Sequence, residues 1–105
     1  MDFGPLGRFT DPAVLILSSL AGSDRHGYAL IKDIEKFSGV VLSPGTLYGA
    51  LAKLEADGFV QRLPAEDRRY PYRLTSAGRA ALAERLTESA RIANLGLERI
   101  ALGST

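Results

Sequence analysis

Between Ser43 and Leu74 the apolar residues change their period, and this change restricts the fold more than any other feature of the chain. Leu47, Ala50, Leu51 and Leu54 recur at i, i+3, i+4 and i+7, the spacing of one helix face. Ser43 is a good N-cap, Pro44 suits a first helical position because no amide is needed there, and Gly58 stands where a left-handed C-cap is expected. The spacing predicts a helix over about 44–57. Beyond Gly58 the period falls to two: Phe59, Gln61 and Leu63 alternate with Val60 and Arg62, PAEDR makes a polar turn, and Tyr70, Tyr72 and Leu74 alternate with Pro71 and Arg73. That pattern predicts a hairpin over about 59–74. Pro71 cannot donate to a ladder, so its strand is expected at an edge or with that position unpaired. Tyr70 and Tyr72 should face one side, with core packing as their default role.

The flanking segments are helical. Asp11-Pro12 opens a segment in which AVLIL (13 to 17) and Leu20 are apolar nearly all round, a buried first helix. After the polar turn GSDRHG, Leu30, Ile31, Ile34 and Phe37 share a stripe on an amphipathic second helix that Gly39 stops. Thr75 or Ser76 caps a last helix running to about Leu102, with Gly78 and Gly96 as its weak points. At about 1.5 Å per residue it would be roughly 40 Å long, against a radius of about 13 Å for a globule of this size, so it should project. One stripe along it holds Leu82, Leu86, Ala90, Ala93, Leu97 and Ile100, and a second holds Ile92, Leu95 and Leu102. One stripe can cover its own domain; the other requires a partner chain. Loss of residues 91–105 is expected to leave an unstable monomer.

Composition sets outer bounds. At 105 residues the chain has room for one compact core and not for two. It holds no cysteine, which excludes disulfides, thiolate zinc sites and thiol nucleophiles. No apolar run is long enough to span a bilayer and MDFGPLGRFTDP lacks the form of a signal peptide, so a cytoplasmic protein is expected. Basic and acidic residues nearly balance at 13 and 12, which makes placement matter more than the sum. Arg62, Arg68, Arg69, Arg73 and Arg79 outnumber Glu66 and Asp67 in one segment, an excess that a polyanion or plain solvent could meet.

Three helices, a two-stranded hairpin and a long helix with surplus apolar surface form a mostly α winged helix-turn-helix with a dimerisation helix. Residues 1–10 would be an N-terminal arm, 11–75 the winged domain and 76–105 the dimerisation helix. In that architecture the third helix enters the DNA major groove. With Leu47 centred on the buried face, Gly45, Thr46, Gly49, Ala52, Lys53 and Ala56 point outward and Tyr48 lies on the flank. Small residues let backbone and DNA come close. Free amides at the Pro44-Gly45-Thr46 end could hold a phosphate, Tyr48 and Lys53 could reach phosphate or base edges, and Arg68 and Arg69 suit a wing over backbone or minor groove. The rival reading is that Gly45 and Gly49 permit packing on another protein's helix, making this a winged-helix interaction module without an operator.

The strings HGYALIKDIEKFSG (26 to 39), SPGTLYGALAKLEADGFV (43 to 60) and RRYPYRLTSAGRAAL (68 to 82) resemble the PadR family of bacterial transcriptional regulators. The His-Gly-Tyr opening, the Pro-Gly-Thr-Leu-Tyr start, the Leu-Glu-x-x-Gly exit and the Tyr-x-Leu-Thr-x-x-Gly entry occur in the family's order. The length resembles the short branch, with one C-terminal helix. The resemblance implies a homodimeric repressor on a palindromic operator in double-stranded DNA, relieved by a small molecule, and it gives Tyr48 a DNA contact. The candidate DNA-binding set is Ser43, Pro44, Gly45, Thr46, Tyr48, Gly49, Lys53, Arg68, Arg69 and Tyr70. The candidate dimerisation set is Leu86, Ala90, Ile92, Ala93, Leu95, Leu97, Ile100 and Leu102. Short family members can bind flat apolar molecules between protomers, for which Phe3, Phe9, Ile92 and Leu95 are pocket candidates. His26, the one histidine, lies where helix two is capped and has no ligand set around it, so no metal, cofactor or catalytic role is expected.

Overall fold

The computed structural model describes residues 11–103; the expected arm at 1–10, with Phe3 and Phe9, lies outside the described residues. Helix α1 spans Pro12–Gly22, strand β1 Arg25–His26, helix α2 Gly27–Ser38, helix α3 Pro44–Ala56, strand β2 Val60–Arg62, strand β3 Pro71–Leu74 and helix α4 Ser76–Gly103. The helix ends follow local chemistry. The Asp11 carboxylate accepts from Ala13 N at 2.8 Å, and Gly39 at φ 75° closes α2. At the end of α3, Phe59 N donates to Leu54 O at 2.9 Å and Gly58 N to Glu55 O at 3.0 Å, with Gly58 at φ 81°. This is a Schellman cap, which turns the chain directly into β2.

The sheet has three strands in the order β1-β3-β2, so two sequence expectations are corrected. The hairpin acquires a third strand, Arg25–His26, from within the polar turn GSDRHG. Two residues are too few to display alternation, and their pairing to Pro71 and Tyr72 is set by tertiary contact. The Pro71 strand is therefore central rather than at an edge. Pro71 opens that strand and contributes only its carbonyl, which accepts from Leu63 N at 2.8 Å.

Leu15, Ile16, Leu17 and Leu20 of α1 meet Leu30 and Ile34 of α2, Leu47, Leu51 and Leu54 of α3, Val60, Tyr72 and Leu74 of the sheet, and Leu82 of α4 in one core. Phe37 departs from its expected place on the buried stripe and stands half exposed. A further difference concerns α4. Of the stripe expected to cover its own domain only Leu82 is buried in the core, and past it no described residue of the helix is buried. The helix leaves the globule instead, giving a molecule of 58 × 29 × 20 Å. Gly78, expected as a weak point, is a close approach: a methyl there would overlap the Phe59 carbonyl oxygen and come within 2.9 Å of Leu74 Cδ1. No described helix is long and apolar enough to cross a membrane.

Candidate nucleic-acid interface

The outward side of α3 is bare. Leu47, Leu51 and Leu54 are buried, while Gly45, Thr46, Gly49, Ala52, Lys53 and Ala56 are exposed. A Cβ built on Gly45 or Gly49 would meet nothing within 4 Å, so neither glycine serves packing inside the described chain. Ser43 Oγ accepts from Thr46 N at 3.2 Å and donates to Thr46 Oγ1 at 3.0 Å. That cap narrows the expected anion end. Pro44 has no amide and Thr46 N is committed to Ser43, which leaves Gly45 N as the first-turn amide aimed outward along the helix dipole. No acidic residue occupies that turn.

The wing approaches α3 from one side. Its tip is a two-residue turn in which Glu66 N donates to Arg69 O at 2.7 Å and Arg69 N to Glu66 O at 2.9 Å. Asp67 and Arg68 both take left-handed backbone, at φ 48° and 67°, the type I′ geometry that matches strand twist. Arg73, counted above among residues available to a polyanion, is committed elsewhere: its guanidinium grips Asp24 in two places, at 2.8 and 3.1 Å. Arg62 lies over the Tyr70 ring, 4.6 Å from its centroid. Among the described residues neither Arg68 nor Arg69 pairs with a carboxylate.

Arg69 Nη1 comes within 3.3 Å of His26 Nε2. His26 Nδ1 already accepts from Ala29 N at 3.3 Å, as the N-cap of α2. A neutral imidazole has one acceptor nitrogen, so the ring accepts from only one of these two donors, and the other N–H groups of the Arg69 guanidinium remain for an outside acceptor.

Between α2, α3 and the wing lies a cleft of about 230 Å³ lined by His26, Gly27, Tyr28, Tyr48, Arg68, Arg69, Tyr70 and Tyr72. It collects all four tyrosines of the chain. Tyr48 and Tyr70 are half exposed, whereas Tyr72 is buried, so the expected core role holds for one wing tyrosine and fails for Tyr70, which precedes β3. Burial pushes the Tyr72 phenol above its ordinary value, and the nearby Arg62 charge partly offsets this. The cleft thus brings Tyr48 of α3 together with Arg68, Arg69 and Tyr70 of the wing, while Lys53 lines a separate hollow with Asp11, Pro12 and Phe59. The dimerisation candidates lie apart on α4, all exposed.

Two features of this surface escaped the sequence reading. Arg73 and Asp24 are 49 positions apart, and nothing local announces their pairing. Gly27 is buried at the start of α2, and the three atoms nearest to where its Cβ would stand all belong to Tyr48. A glycine wedged between His26 and Tyr28 at a helix start was the available signal.

The family model for PadR-like transcriptional regulators matches residues 16–84, which include all elements from most of α1 to the first turns of α4. Over 85 residues the chain is 45% identical to an uncharacterized 37.1 kDa protein in a transposon of Streptomyces fradiae, covering 81% of this chain and 25% of that protein. Over 72 residues it is 44% identical to a transcriptional regulator of Mycobacterium tuberculosis, covering 66% of each. The chain therefore spans a quarter of the first relative and just under two thirds of the second. Among solved structures, a transcriptional regulator from Clostridium thermocellum superposes with a TM-score of 0.77 at 26% identity, covering 93% of this chain and 97% of that one. A PadR family regulator from Clostridium difficile gives 0.76 at 26% identity, covering 85% and 97%. With a bare third helix, an arginine-tipped wing and these likenesses together, the chain belongs to the PadR-like family of transcriptional regulators, which are not enzymes.

Proposed function

We propose that the protein is a cytoplasmic homodimeric repressor that binds a palindromic operator in double-stranded DNA, with α3 in the major groove and the wing over adjacent backbone or minor groove. The observation that carries this reading is the open face of α3 around Gly45 and Gly49, beside a wing tip whose two arginines are not paired with a carboxylate among the described residues. Small outward residues let the helix backbone approach base edges, and Gly45 N, Tyr48, Lys53, Arg68 and Arg69 supply donors to phosphates or bases.

Dimerisation is supported by α4. Leu86, Ile92, Leu95 and Leu97 are 42%, 47%, 41% and 65% exposed on a helix that extends away from its core. Apolar surface of that kind on one helix favours a second copy, since isolated chains seldom leave it in water. The same surface supports relief of repression by a flat apolar or aromatic effector held between protomers. Two recognition helices on a two-fold axis would sit about 34 Å apart, one turn of DNA.

Fluorescence anisotropy tests the reading, using the duplex upstream of the protein's own gene, a scrambled duplex, and a duplex selected by the protein from a random pool. Expected is sequence-dependent binding whose log affinity falls with log salt by about 0.9 per phosphate neutralised, and which Tyr48→Ala weakens. Equal and feeble binding to all three duplexes would overturn it in favour of a surface for a protein partner.

A further inference from the structure

Gly27 has no conformational reason to be glycine. It opens α2 without a positive φ, a position where many residues serve equally well. Its reason is spatial. A Cβ at Gly27 would overlap the Tyr48 hydroxyl and sit 2.7 Å from Cζ and 3.1 Å from Cε1, all three on one ring of another helix. The two glycines on α3 show the opposite environment, with nothing within 4 Å.

The Tyr48 ring is half exposed, so this close approach does not hide an apolar side chain in the core. One edge of the phenol rests on the α2 backbone and the other faces the cleft and solvent. Its neighbours along the outward side of α3 are Gly45, Thr46, Gly49 and Ala52, none of which could steer a ring. The phenol is thus confined on one side by the Gly27 backbone, across the cleft from the wing residues Arg68, Arg69 and Tyr70. We infer that Gly27 is a positioning residue for Tyr48: its missing side chain forms the seat that holds the phenol at a fixed point between α3 and the wing. The consequence for binding rests on the proposed DNA contact of Tyr48; the seating itself does not.

The test uses the full chain with 3-fluorotyrosine placed at position 48, together with Gly27→Ala, Tyr48→Ala and the double variant. Without DNA, Gly27→Ala should move the fluorine resonance. It should lower the melting temperature in the native background yet raise it in the Tyr48→Ala background, where the space is free and alanine is the better helix former. With the duplex selected from a random pool, Gly27→Ala should weaken binding about tenfold, the worth of one polar contact, and add less than about twofold to the loss in Tyr48→Ala. An unmoved resonance, destabilisation of equal size in both backgrounds, or losses that multiply would overturn the assignment. Should Gly27→Ala fail to fold, a folded double variant supports the seat and an unfolded one overturns it. If Tyr48→Ala binds DNA as well as the native protein, the DNA role of Tyr48 fails, while the resonance and the melting temperatures still decide the role of Gly27.

Discussion

Asp67 and Arg68 occupy left-handed backbone at the wing tip, a conformation that glycine adopts at no steric cost. Replacing Arg68 by glycine removes a penalty of about 1–2 kcal/mol and restores about 0.5–1 kcal/mol of chain entropy, so Arg68→Gly should stabilise the fold by about 0.5–1 kcal/mol. Urea denaturation reads this directly. The same variant should bind DNA more weakly, with a salt slope shallower by about 0.9, because the phosphate contact proposed for Arg68 would be gone. Strain retained where glycine would relieve it suggests that the guanidinium is there for what it touches. Tyr72 gives a second prediction at this scale. Its phenol is raised by burial, so the folded state favours the neutral form; the resulting stability is complete below the ordinary value of 10.0 and is lost as pH rises through the higher folded value. Tyr72→Phe should therefore flatten the fall in melting temperature on the alkaline side of pH 10, and an unchanged alkaline profile would show that another group governs it.

Helix α4 starts where Gly78 passes the Phe59 carbonyl, which ties it to the strand that follows α3. Thr75 reinforces the junction, donating to Gly58 O at 2.7 Å and accepting from Gly78 N at 3.0 Å. Gly78→Ala should cost about 1–3 kcal/mol as an overpacked contact, despite the better helix propensity of alanine, and thermal melting will show the sign. Elements whose limits depend on neighbours in sequence were legible from the chain. Asp11, Ser43, Gly39 and Gly58 act on amides and carbonyls within a few residues, so α1, α2 and α3 could be read almost to their ends. Leu47, Leu51 and Leu54 likewise fixed which side of α3 is buried, and hence which side is bare. What depends on distant partners was not legible. Strand β1 exists because Arg25 and His26 meet Tyr72 and Pro71, and the glycines at 27 and 78 answer to Tyr48 and Phe59, so their single-residue signals had several readings. The stripe of α4 expected to cover its own domain does so only at Leu82, for the same reason: the direction in which a helix leaves a globule is decided by its junction and not by its period.

For the whole molecule, assembly and core are separable. No described residue beyond position 90 is buried in its own chain, so deleting 91–105 removes no side chain from the core. Sedimentation should show a monomer, with a melting temperature lower than that of the intact protein and no longer dependent on concentration, because stability drawn from association is lost by mass action. A truncated chain that still sediments as a dimer would move the interface off α4. Within the globule, the two residues of β1 and the residue before them reach three other elements. Asp24 holds Arg73 of β3, Arg25 donates to Ser19 O of α1 at 3.2 Å and lies 3.7 Å from Asp33 of α2, and His26 caps α2. Ser19 completes the tie, donating to Asp33 at 2.6 Å from a buried position. A reading head fastened this way has little compliance. On the proposed DNA-binding function, the adjustment to a double helix would fall on the nucleic acid, and operators would then be ranked partly by how cheaply their unread base steps bend or twist to fit it.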